Sequence, residues 1–112
     1  MIYLDLDDFH ENNERHELLL ELKFRIPEFR VTLFTIPGLC SRHFIADWKQ
    51  IDFADLVPHG WKHATSRECQ NWRRADCDQY LDRIEDLGLT HGWKAPGWQI
   101  SDAMYDALLA RG

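Results

Sequence analysis

The residues of this 112-residue chain best suited to chemistry are the cluster His59-Gly60-Trp61-Lys62-His63 and the acidic run Asp5-Leu6-Asp7-Asp8. Two imidazoles and one carboxylate form the kind of three-ligand set that holds a zinc-type ion and leaves a fourth position open for water. His59, His63 and one of Asp7 or Asp8 satisfy that count. The i, i+4 spacing of the histidines points both rings the same way on a helical or helix-like turn. Adjacent carboxylates at a strand end diverge, so one can bind the ion while the other stays near its water. Such a water has a pKa of about 7, within range of a carboxylate acting as general base. Each piece alone has a plainer explanation, a strand-ending Asx turn for the acids and turn or cap positions for the histidines. Their weight comes from occurring together.

Alternating strand-like and helix-like segments are what would bring them together. Ile2 to Asp7 reads as a first strand, and Asn13 to Arg25 as a helix with Leu18, Leu22 and Ile26 at i, i+4, i+8 and Leu19 beside them. Arg30 to Ile36 is the clearest strand, rich in β-branched and aromatic residues and stopped by Pro37-Gly38. A short helix over Arg42 to Lys49 follows, then a third strand, Ala54 to Pro58, that delivers His59. Thr65-Ser66-Arg67-Glu68 has the form of a capping box. The helix behind it should be the longest, with Cys69, Trp72, Cys77, Tyr80, Leu81, Ile84 and Leu87 on one stripe before Gly88. A fourth strand is expected over His91 to Ala95, and Ser101 caps a last helix whose Met104, Tyr105, Leu108 and Leu109 make its apolar face.

The pattern predicts one α/β domain over residues 1–112, a mainly parallel sheet of alternating β-α units with right-handed crossovers. All strand ends that lead into helices then share one rim, and the turns Asp7 to His10, His59 to His63 and Lys94 to Trp98 lie on it. Trp61 and Trp98 fall in those turns, where an aromatic face can stack on a sugar ring. Trp48, Trp72 and Trp93 read as packing residues, and His16 and His43 as solvated helix residues.

Composition narrows the class. A net charge of −6 argues against a nucleic-acid partner, because the one dense basic spot, Arg73-Arg74, is followed by Asp76 and Asp78. No apolar run approaches the ~20 residues of a membrane span. The chain starts on a strand-like segment rather than a leader, so a cytoplasmic protein is expected. Three cysteines without C-x-x-C spacing suggest reduced thiols rather than a disulfide framework.

At these residues the sequence resembles the polysaccharide deacetylase family, the NodB-like fold of carbohydrate esterase family four. Leu6-Asp7-Asp8 looks like its Asp-Asp motif, and His59 to His63 like its H-x-x-x-H motif. Lys94-Ala95-Pro96-Gly97-Trp98 is similar to its third motif, usually Arg-x-Pro followed by an aromatic residue and a glycine. The resemblance implies a truncated (β/α) deacetylase barrel carrying a divalent metal, most simply zinc, and hydrolysing N-acetyl groups of an amino-sugar saccharide. It makes Asp7 the catalytic base, Asp8, His59 and His63 the metal ligands, and Lys94 the residue that steadies the base. Pro96, Gly97 and Trp98 become a wall of the acetyl-binding groove, with a backbone N–H placed to stabilise an oxyanion.

The chain covers only about the first half of a family domain and has no counterpart of the later Leu-x-His motif, whose histidine protonates the leaving amine. General-acid help of that kind contributes about 10²–10⁴-fold. His10, and less readily His91, are the rim candidates for it, and an acid from a second subunit is the other source. A sheet of four strands leaves an edge to cover, which favours a homodimer or an unusual closure. The competing classes are a reduced descendant that binds metal or glycan without turnover, and a hydrolase of another C–N bond.

Overall fold

The structure, a computed structural model, describes residues 2–89 and 92–112. Its elements follow in the order β1 (Ile2–Phe9), α1 (Glu17–Arg25), β2 (Phe29–Thr35), α2 (Arg42–Lys49), β3 (Ala54–Pro58), α3 (Arg74–Asp86) and α4 (Asp102–Arg111). Among the described residues the sheet has three parallel strands in the order β1-β2-β3, each joined to the next through a helix. The fold is therefore mixed α/β, built from alternating β-α units.

The register lines up apolar residues across the sheet. Leu6 pairs with Leu33, and Leu33 with Leu56. Along β2 the alternation is complete: Phe29, Val31, Leu33 and Thr35 are buried, and the residues between them are half-buried. That period of two is what a central strand with one fully covered face requires. Helix α2 starts at Ser41, whose hydroxyl accepts the Phe44 N–H at 3.1 Å, and it buries Ile45 and Trp48 against the sheet. Helix α3 presents Cys77, Tyr80, Leu81 and Ile84 to the core at helical spacing. It ends in a Schellman turn, with Leu89 N–H on the Ile84 carbonyl at 2.8 Å, Gly88 N–H on Glu85 at 2.9 Å and Gly88 at φ +78°.

Several element boundaries and faces depart from the sequence-based expectations. Helix α1 begins at Glu17, four residues late, because His10 to Asn13 close a turn, with the Asn13 N–H on the His10 carbonyl at 3.2 Å, and Arg15 takes φ +62°. Helix α3 begins at Arg74, where Asp76 accepts the Arg73 N–H at 3.1 Å, so Cys69 and Trp72 precede it. In place of a fourth strand, residues 92–95 run irregularly beside β3, joined to it by the Lys94 N–H on the Pro58 carbonyl at 3.1 Å. Gly92 supplies no side chain and Pro96 no N–H, which leaves too little to propagate a ladder. His91 and Thr90 lie outside the described residues. On α4, Met104 and Ala107 are buried while Tyr105 and Leu109 face out.

His16 is half-buried rather than solvated, with its ring packed on Phe9, Phe44 and Trp48. His43 is exposed and lies 3.3 Å from Asp47. Trp48 is core, and Trp72 and Trp93 pack against it partly buried. No described helix is long and apolar enough to cross a membrane.

The cysteines are free, with Cys69 and Cys77 fully buried. Burial pushes all three thiols up, Cys40 to about 11. Because thiolate is the reactive form, native protein at pH 8 should react with a thiol reagent such as DTNB far more slowly than urea-unfolded protein. The same shift favours the folded state below the ordinary thiol pKa near 9, a contribution lost as pH rises through the folded value of about 11 for Cys40. Thiol titration and denaturant melts from pH 8 to 11 check both statements.

Candidate metal centre

The acidic pair does not end a strand. Strand β1 continues to Phe9, which pairs with Thr35, whereas Leu6 pairs with Leu33, so three steps on β1 oppose two on β2. Asp7 and Asp8 occupy the resulting bulge, and Asp8 takes φ +61°. Bulges re-aim side chains, and Asp is among the residues that tolerate this left-handed conformation. Buried Phe9 pins the far side of the bulge. Both carboxylates remain open to solvent, their side chains 51% and 58% exposed.

His59 follows β3 directly, its N–H on the Thr35 carbonyl at 2.8 Å, and its imidazole is almost fully buried. Nδ1 lies 2.8 Å from the Lys94 carbonyl. A carbonyl can only accept, so Nδ1 carries the proton and, in the neutral ring, Nε2 is left with its lone pair. That Nε2 lies 3.5 Å from Asp8 Oδ1, and Nε2 of His63 lies 3.5 Å from the same oxygen. The three ligand atoms fall within 4.8 Å of one another.

A distance of 3.5 Å is long for a hydrogen bond. Both imidazole nitrogens instead face the same carboxylate oxygen at the distance of neighbouring ligand atoms around a metal ion. The buried histidine with its remote nitrogen on a carbonyl is also the usual outer support of an imidazole ligand. Asp8, His59 and His63 thus lie close enough together to hold a metal ion. The histidines do not share a helical turn, however. Residues 59–63 form an irregular loop with Gly60 at φ +70° and His63 at φ +49°, and the rings meet edge-on with centroids 4.9 Å apart.

Beside this group, Lys94 Nζ lies 2.6 Å from Asp7 Oδ1. The ammonium also sits 4.6 Å from the Phe34 ring centroid and 5.1 Å from that of Trp98. Lys94 therefore touches both halves of the site, His59 through its carbonyl and Asp7 through its side chain. Pro96, Gly97 and Trp98 form a single 3-10 turn next to it, with Pro96 buried and Trp98 80% exposed. The Trp98 N–H is spent on the Ala95 carbonyl at 3.1 Å, which leaves Gly97 as the N–H of this tripeptide outside the turn's own bonds.

Two residues singled out in the sequence point elsewhere. Trp61 turns to α3, half-buried, edge-on to Tyr80 and with the Arg83 guanidinium 5.1 Å from its ring. His10 spends its ring on its own turn, with Nδ1 3.2 Å from the Asn12 N–H and Nε2 3.2 Å from Asn13 Nδ2. Two contributors were not visible as such. Phe34 looked like an ordinary strand residue, and Glu68 looked like half of a capping box. Compared with family models, with curated proteins and with solved structures, the chain finds no match.

Proposed function

We propose that the chain is a metal-dependent amide hydrolase that removes N-acetyl groups from an amino-sugar saccharide, and that its β-α units are an abbreviated form of the deacetylase barrel. The observation that supports this most is the convergence of Asp8, His59 and His63 beside a second carboxylate, Asp7, held by Lys94. Asp8, His59 and His63 would hold the ion, with zinc favoured by two imidazoles and a carboxylate. Held by these residues, such an ion would supply Lewis acidity and a water of lowered pKa.

The chain's own residues do the rest. Asp7, half-exposed and free of the ligand set, accepts the proton of the attacking water. Lys94 fixes the orientation of that carboxylate as a point charge, without the planar fork an arginine would bring. Trp98 offers exposed aromatic surface for a sugar ring, and the Gly97 N–H faces the oxyanion in this reading. His10 would have to leave its Asn12 and Asn13 contacts to protonate the leaving amine. Those contacts favour one alternative, a metal- or glycan-binding protein without turnover.

Elemental analysis of the purified chain, followed by acetate release from N-acetylglucosamine oligomers before and after chelation, tests both. Stoichiometric zinc, with acetate release lost on chelation and restored by zinc, is the expected result. Zinc without acetate from any N-acetylated saccharide favours the binding protein, and absence of metal affinity removes both readings.

A further inference from the structure

We infer that Glu68 is the positioning residue that presents His63 to the metal site, a role that rests on the metal-dependent reading above. Its carboxylate accepts three consecutive backbone N–H groups, Trp61 on Oε1 at 2.7 Å and Lys62 and His63 on Oε2 at 2.8 and 3.0 Å. Successive N–H groups converging on one anion form a nest, and bonds to an ionised acceptor are stronger than neutral ones. Here the anion belongs to the same chain, five residues on.

The loop needs such a hold because its backbone is unusual. His63 takes φ +49°, a conformation that non-glycine residues rarely adopt. The two histidines are also supported differently. The His59 ring is fixed directly through Nδ1 on the Lys94 carbonyl. Among the described residues no hydrogen bond reaches the His63 ring, which meets only the Asp8 carboxylate at 3.5 Å and the edge of the His59 ring, so its backbone must bring it there. Gly60 makes room for the arrangement: a Cβ there would meet Glu68 Oε1 at 2.3 Å and Pro96 Cγ at 2.6 Å. The loop carbonyls are held as well, Gly60 by the Tyr80 hydroxyl at 2.9 Å and Trp61 by the Gly38 N–H at 2.6 Å. Glu68 is the one member of this network that grips three residues at once.

The test is zinc affinity of the full chain, measured by competition with a chromophoric chelator for wild type, Glu68→Gln and Glu68→Ala, with melting of the metal-free proteins and cobalt(II) spectra alongside. Glu68→Gln keeps one carbonyl oxygen for the loop and serves if the alanine variant does not fold. The expected result is zinc binding weakened by roughly 10–100-fold, the range for losing an outer support of a ligand, with an altered cobalt(II) spectrum. A folded glutamine variant with wild-type affinity and spectrum overturns the role, even if it melts earlier, since that would be structural support alone. Failure of the wild type to bind zinc or cobalt(II) ends the metal reading itself, and this role with it.

Discussion

Asp7→Asn should lower acetate release by about 10²–10⁴-fold at saturating zinc while leaving zinc affinity unchanged. The asymmetry follows from where the two acids of the bulge sit. Asp8 shares its Oδ1 with both imidazole nitrogens at 3.5 Å, whereas Asp7 is engaged by Lys94 at 2.6 Å. Asparagine preserves the shape of the side chain and an oxygen for the Lys94 ammonium, so the bulge should survive. What it removes is the ability to take a proton. The Asp8→Asn variant should show the opposite pattern, with zinc lost first and activity lost as a result. Zinc titrations paired with acetate assays at several zinc concentrations separate the two. Loss of zinc in Asp7→Asn alone would exchange the roles assigned to the pair.

Leu33→Ala carries the largest expected effect on stability, about 2–5 kcal/mol. Leu33 is fully buried at the middle of the central strand, paired with Leu6 on one side and Leu56 on the other. Neither neighbour can close the space, since both are fixed by their own ladder bonds, so the cavity should persist. A domain of this size has roughly 5–15 kcal/mol in total, and the melting temperature should fall by roughly 10 °C or more. Phe24 supplies the contrast. It is 88% exposed on α1, and Phe24→Ala should shift stability by no more than about 0.5 kcal/mol. Urea melts of the two variants, with zinc chelated, check the difference.

What could be read from the sequence was whatever local pattern decides. The bounds of β3 and α2 agree with the reading, because Pro58 and the Ser41 cap mark their ends chemically. Parallel strands followed from the alternation of segments. The placement of Asp8, His59 and His63 close together followed from the shared rim. The reason given for the histidines did not hold, since residues 59–63 are a clamped loop and not a helical turn. Side-chain bonds to irregular backbone were invisible. Nothing local marks Glu68 as an acceptor for residues 61–63, and its pattern with Thr65 fits a helix cap equally well. In the structure the Thr65 hydroxyl accepts the Arg67 N–H at 3.2 Å, within a turn. Over its described residues, 92–95, the expected fourth strand is absent for a related reason. The segment has little beyond Trp93 to bury, Gly92 weakens a strand and Pro96 offers no N–H to extend one.

Lys94 ties two otherwise separate parts of the molecule to one stretch of backbone. Its carbonyl sets the tautomer of His59, and its ammonium holds Asp7. The next turn is wedged in place, for a Cβ at Gly97 would lie 2.2 Å from the Ser66 carbonyl oxygen. Ion retention and turnover in the proposed enzyme are therefore not independently adjustable. Substitutions that tilt residues 94–98 should degrade the two in proportion, whereas side-chain changes at position 94 that spare the backbone should slow the reaction and keep the ion.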